Sequence, residues 1–366
     1  MNKSCLFFQL LGITTGSRDC FEATPTADEW SQMFGLAEKQ ALIGVCAAGI
    51  EKLPQEQMPP YDLLMEWIGT STYISQRNLL LNIRCDELQS QLLSKGLRSC
   101  ILKGQGIARK YDEQVRLYRQ SGDIDIWIEG GFKRVFKLVQ ELCSIKDIDD
   151  HHFQLPLYDD VEIEAHYALG SLINRCRNRR FKKWYEGQRN AQMENLVSIG
   201  DDITIVCPDD SFNLVYLMAH MHRHFFTEGV GLRQFMDYYY ALKNNNLTAT
   251  EKQSVVRLVD AFGMSKFAAS VMWVLKTVFE LDSAYMLWEP NERIGHFVLN
   301  EVMRSGNFGK FDASFKREAG ASHLKRFCQV GIYGLRFFRY FPSMSFWIPM
   351  NHLRKFLGNL IRKKQM

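Results

Sequence analysis

No cysteine in the chain belongs to a C-x-x-C pair. The nine present, Cys5, Cys20, Cys46, Cys85, Cys100, Cys143, Cys176, Cys207 and Cys328, are scattered and odd in number. That argues against a disulfide framework and a zinc ribbon, and for reduced thiols in a cytoplasm. Long apolar runs are missing too: none approaches the roughly 20 residues of a membrane-spanning helix. The N-terminal stretch from Met1 to Phe8, with one basic residue and a brief apolar run, makes a poor signal peptide. Charge of one sign is also scarce, since a net +4 over 366 residues is too little by itself to imply a nucleic-acid partner. What remains is a chain that is 46% hydrophobic and 23% charged, with ample material for a core and a length that suits two or three domains.

Hydrophobic spacing divides the chain into an N-terminal helical region (1–96), an α/β core (97–170), a helical domain (171–310) and a basic, aromatic C-terminal tail (311–366). Thr26 with Glu29 three residues on has capping-box spacing. Apolar residues at helical intervals predict one long helix from Asp62 to Leu93, with Gly69 to Thr72 as a candidate kink and Gly96 as its terminator. At Leu97 the period changes. Ser99 to Leu102 reads as a short buried strand ending in Lys103-Gly104-Gln105-Gly106, with a helix opening behind it. Such a turn lets backbone N–H groups approach a phosphate, and Lys103 adds charge; equally, it is a tight turn that needs positive φ. After the D-x-D strand and the Gly131 helix, His151 to Leu157 and Val161 to His166 read as a hairpin, giving a small mixed sheet with helices on one side.

The stretch Ser121-Gly122-Asp123-Ile124-Asp125-Ile126-Trp127-Ile128 carries the chemistry. A strand alternates its faces with period two, so Asp123 and Asp125 point the same way. Two like charges on a mostly buried strand resist desolvation unless a positive group sits between them. Carboxylate oxygens suit Mg²⁺, whose remaining positions take water and substrate phosphates; a solvated strand edge is the plainer use of a D-x-D. Glu162 and Glu164 share one face of a following strand, so a third carboxylate is at hand.

Two other features invite a function. His220 and His224 share a helix face at i, i+4, a zinc-compatible spacing without the Glu of a H-E-x-x-H enzyme, and packing or hydrogen bonding to a neighbouring domain is the simpler use. No acidic residue follows Glu318, while Lys325, Arg326, Arg336, Arg339, Arg354, Lys355, Arg362, Lys363 and Lys364 lie among aromatics. Such a tail suits a peripheral contact with an anionic membrane surface or a polyanion, although its apolar content equally suits a docked C-terminal helix.

Taken in order, Leu102-Lys103-Gly104, Arg119, Gly122-Asp123-Ile124-Asp125-Ile126, Val161-Glu162-Ile163-Glu164-Ala165-His166 and the helical region from His220 to Asp237 resemble the bacterial uncharacterised nucleotidyltransferase family of the polymerase-β-like superfamily, over roughly residues 30 to 300. The resemblance implies an α+β fold, a small mixed-sheet core inserted between helical regions. It also implies two-metal transfer of an NMP from an NTP to an acceptor hydroxyl, with Mg²⁺ as cofactor and Mn²⁺ as the alternative. By the same likeness Asp123, Asp125 and Glu164 are the catalytic metal ligands, with Glu162 as the alternative third carboxylate. Lys103, Gly104, Gln105, Arg119 and Gly122 are the residues expected around the triphosphate. The turn departs from the family's usual Gly-Gly or Gly-Ser, which bears on nucleotide affinity more than on metal binding. The acceptor is left open among a small molecule, a protein and a nucleic acid. A non-catalytic nucleotide- or partner-binding descendant and a D-x-D glycosyltransferase are the other readings; about 95 helical residues ahead of the sheet and a third acid after it count against the last.

Overall fold

The computed structural model describes residues 3–143, 146–148, 151–200, 203–312 and 323–365. It is an α+β protein. Four helices lead: α1 (Lys3–Thr15), α2 (Ala27–Gln40), α3 (Ile43–Ile50) and α4 (Tyr61–Ser94). Thr26 caps α2 as the spacing predicts, its hydroxyl accepting from the Glu29 amide while the Glu29 carboxylate accepts from the Thr26 amide at 2.9 Å. Gly69 to Thr72 do not break α4, which runs through 34 residues. There the Ser71 hydroxyl donates back to the Ile68 carbonyl, so the polar group is satisfied inside the helix. Gly96, at φ +73°, follows the helix end.

The middle of the chain alternates: β1 (Ser99–Ile101), α5 (Gln105–Ala108), α6 (Glu113–Arg116), β2 (Asp123–Ile128), α7 (Gly131–Gln140), β3 (Lys146–Ile148), β4 (His152–Gln154) and β5 (Glu162–His166). The strands form one sheet in the order β1-β2-β5-β4-β3. Only β2 and β5 run parallel, and the long excursion through α7 and the β3–β4 pair supplies the crossover that parallel neighbours require.

Strand β2 sorts its residues to two interiors. Ile124, Ile126 and Ile128 face Leu81, Cys85, Leu88 and Leu92 of α4 and Val135 and Val139 of α7. Trp127 points the other way, stacking on Phe212 at 6.1 Å and meeting Tyr185 edge-on at 6.0 Å. Helices on one side only were expected; both faces are covered, because β2 carries bulky apolar side chains on each. The second half of α4 therefore packs into the sheet core.

The remaining chain is α8 (Arg175–Gln192), the hairpin β6 (Leu196–Gly200) and β7 (Ile203–Val206), then α9 (Asp210–Thr227), α10 (Leu232–Lys243), α11 (Ala249–Ala261), α12 (Ser265–Phe279), α13 (Glu292–Ser305), α14 (His323–Leu335) and α15 (Pro342–Gln365). Helices α11 and α12 are parted by Gly263 at φ +71°. In the tail, Tyr333, Phe337 and Phe341 are buried. Phe337 and Phe341 close against Phe226 of α9 at 4.9 and 5.0 Å. Arg336 reaches Glu301 at 2.6 Å and Asp312 at 3.2 Å. The side chains of Glu318, Lys325, Arg326, Lys355, Arg362, Lys363 and Lys364 lie outside the described residues. Among the described residues no helix is long and apolar enough to cross a membrane.

Candidate active site

Asp125 stands opposite Glu164 in the parallel register of β2 and β5, and Asp123 stands opposite Glu162. Because the side-chain period is two, Asp123, Asp125, Glu162 and Glu164 share the face that carries Trp127. Depth then separates them. Asp125 is 3% exposed, Asp123 and Glu164 are half-buried, and Glu162 is exposed at the strand's first position. Donor atoms of Asp125, Glu164 and His166 lie within 4.8 Å of one another. Asp123 is on the same face but outside that group. His166 was quoted in the sequence only as a neighbour of Glu164; its place two residues on, and therefore on the same face, was the signal available.

The carboxylates are not left facing each other. The Lys103 ammonium donates to Asp125 Oδ1 at 2.7 Å, and His166 Nε2 lies 2.8 Å from the same oxygen and 3.6 Å from Glu164 Oε2. Burial pushes the Asp125 carboxyl up, but Lys103 and then His166 outweigh it and hold it well below the usual carboxylate range. For Asp123 the balance reverses: burial, and next the Asp125 charge, raise it despite Lys103. Burial works against His166 as a cation, yet its bonds to Asp125 and Glu164 raise its pKa. Lys103 also contacts His220 Nε2 at 3.0 Å. Burial, then this ammonium, push His220 well down, so its neutral ring accepts from Lys103. His224 turns to Glu228 at 2.9 Å; among the described residues neither His220 nor His224 belongs to a metal-compatible group.

The turn after β1 is built by glycine. Gly104 adopts φ +55° and ψ −114°, backbone that residues with a Cβ rarely enter, and an added Cβ would sit 3.5 Å from the Asp123 carbonyl. Gln105 does not offer its side chain to the cleft. Its amide donates to Asn82 Oδ1 at 2.5 Å and to the Asn78 carbonyl at 3.3 Å, while its own oxygen accepts from Ser121 at 3.1 Å. Arg119, expected near the triphosphate, lines the smaller of the two cavities over this face, and its three nitrogens are engaged: two on Asp237 at 2.6 and 2.8 Å, the third on Ser121. Tyr111 adds a hydrogen bond to Asp237 at 2.8 Å. A continuous polar chain thus runs from Asp237 of α10 through Arg119, Ser121 and Gln105 to α4. It holds the Gly104 turn against the loop that presents Gly122 and Asp123.

Two adjoining cavities open over this face, parted by Lys103, Asp123, His220 and Phe308. The larger, about 340 Å³, takes in Glu164, His166 and Arg223, with Phe181 and Tyr216 as aromatic walls. The smaller holds Gly104, Gly122, Asp125 and Arg233. Arg223 and Arg233, both half-buried, carry no motif in the sequence: Arg223 stands between His222 and His224, and Arg233 between Leu232 and Gln234. Phe308 is held at φ +52° between Gly306 and Gly309, and the Arg233 guanidinium lies over its ring at 5.6 Å. Two carboxylates and an imidazole converging beside cationic walls suit a divalent cation and a polyanionic ligand.

Among curated proteins none matches the chain. The family described as uncharacterised nucleotidyltransferase matches residues 26–280. That span is well over half of the chain and contains β1, β2, β5 and the helices α9 and α10 that wall the cleft, so the protein belongs to the uncharacterised nucleotidyltransferase family.

Proposed function

We propose that the protein transfers a nucleoside monophosphate from an NTP to an acceptor hydroxyl with the help of divalent metal. The observation that carries this reading is the register that sets Asp125 against Glu164, with Asp123 beside them, at the base of a cleft walled by Lys103, Arg223 and Arg233. Asp123, Asp125 and Glu164 are the ligands for Mg²⁺ or Mn²⁺; when bound, such ions stabilise the attacking and leaving oxygens of an in-line displacement together. Lys103, bonded to Asp125 at 2.7 Å, would share that carboxylate with the metal.

In the reaction the acceptor oxygen bonds to the α-phosphorus, the bond to the bridging oxygen breaks, and pyrophosphate leaves with its electron pair. The hydroxyl proton passes to one of the carboxylates. Lys103, Arg223 and Arg233 meet the charge that develops on the phosphates. Gly104 lets the backbone come close to them, and the aromatic walls give a base or acceptor a surface to pack on.

The test is pyrophosphate release from a panel of NTPs with Mg²⁺ or Mn²⁺ and a mixture of hydroxyl acceptors. Asp123→Asn, Asp125→Asn and Glu164→Gln should each lower it ~100-fold or more. Turnover unchanged in all three overturns the reading. Calorimetric NTP binding without turnover across the panel favours the non-catalytic descendant.

A further inference from the structure

Beyond the carboxylates, three imidazoles crowd into the wall of the larger cavity. His152 of β4 pairs directly across from His166 of β5, and His151 precedes it. Ring centroids are 4.6 Å apart for His151 and His152, 5.5 Å for His151 and His166, and 5.3 Å for His152 and His166. One donor atom from each lies within 4.8 Å of the other two. We infer that His151, His152 and His166 form a transition-metal site of their own, for a borderline ion of the Zn²⁺ class, beside the carboxylate site.

Hydrogen-bond geometry supports it. Arg223 can only donate, and it donates to His151 Nε2 at 3.0 Å. That nitrogen is therefore unprotonated, and His152 Nδ1 lies 3.3 Å from it. His152 Nε2 in turn lies 3.9 Å from Glu164 Oε1, so the cluster adjoins the carboxylates.

His166 supplies the second, independent sign. Its Nε2 is spent on Asp125 at 2.8 Å, and its Nδ1 is buried with no hydrogen-bond partner in a residue only 4% exposed. A ring that gives one nitrogen to a carboxylate and keeps the other unpaired is the arrangement metal-ligating histidines use, the carboxylate fixing the tautomer and strengthening the ligand. Imidazole donors select Zn²⁺, Co²⁺ or Ni²⁺ over Mg²⁺, which prefers oxygen. Arg223 lies where it stands in for the ion's charge, passing over Gly170, where a Cβ would come within 2.8 Å of the guanidinium. The metal would tie the start of β4 to β5 and polarise the His166 bond to Asp125. It needs no nucleotide to form.

Co²⁺ is the probe, added to metal-stripped full-length protein in excess Mg²⁺ and without NTP, and read by visible ligand-field absorption and by metal content after gel filtration. One retained Co²⁺ per chain is expected. His151→Ala and His152→Ala should each weaken it at least about tenfold, Arg223→Gln should tighten it by removing a competing cation, and Asp123→Asn should leave the spectrum in place. Folding is checked by circular dichroism. Co²⁺ binding that survives both histidine substitutions, or no retained Co²⁺ at all, overturns the site. Because Asp123→Asn separates the spectrum from turnover, the metal site and nucleotidyl transfer fail independently.

Discussion

Replacing Asp237 with alanine strands a buried guanidinium. Arg119 is 2% exposed and Asp237 5%, and the two share bonds of 2.6 and 2.8 Å. Burial opposes the Arg119 charge, and the Asp237 carboxylate more than restores it. Removing one partner of such a pair costs about 3–5 kcal/mol, because the other charge stays desolvated and uncompensated. Tyr111 loses its acceptor in the same step. The assay is urea unfolding followed by fluorescence and circular dichroism. The double variant Arg119→Met, Asp237→Leu, which removes the charges and fills the space, should recover most of the loss. It should keep a residue of about 1–2 kcal/mol for the unsatisfied Tyr111 hydroxyl. An Asp237→Ala protein within about 1 kcal/mol of the parent, or a double variant no better than the single, refutes the argument. Since Arg119 reaches the Gly104 turn through Ser121 and Gln105, the double variant should fold yet lose nucleotide affinity, seen as a higher KM for NTP.

The two glutamates of β5 should separate in activity: Glu164→Gln loses pyrophosphate release, whereas Glu162→Gln, exposed and away from the convergent group, stays within a few-fold of the parent, and equal loss in both would oppose the assignment. Gly104→Ala forces a Cβ into φ +55° and should cost about 1–3 kcal/mol in thermal or urea unfolding, while an unchanged midpoint would mean that the turn is not built as described. Thiol labelling of the native protein should reach the exposed Cys5, Cys20, Cys176 and Cys328 first; Cys46, Cys85 and Cys100, whose thiols burial pushes up, should label only on unfolding, and mass spectrometry that finds them modified early would place the core wrongly.

Local rules carried far along this chain. The capping box at Thr26, the long helix from Asp62, the D-x-D strand and the acidic strand after it are all short-range patterns, in which a residue's neighbours decide its conformation. What a side chain does across space was less open to reading. Arg119 is one residue on the page, and only the approach of α10 from over a hundred residues later makes it the partner of Asp237. Gln105 likewise becomes a link to Asn82, because α4 passes beside it.

The sequence by itself determined that Asp123 and Asp125 share a face, since strand pleating is a property of the backbone, and that Gly104 can turn where other residues cannot. Only the tertiary structure decided which acid meets them. The parallel register of β2 and β5 sets Asp125 opposite Glu164 and Asp123 opposite Glu162, and depth then separates the glutamates, Glu164 half-buried and Glu162 exposed; register follows from burying Ile124, Ile126, Ile163 and Ala165 together, a condition imposed by the whole sheet. The positive group beside the buried acids is Lys103, and the His166 ring bonds the same Asp125 oxygen. Desolvation makes like charges on one strand intolerable unless the fold delivers a positive group from somewhere else in the chain.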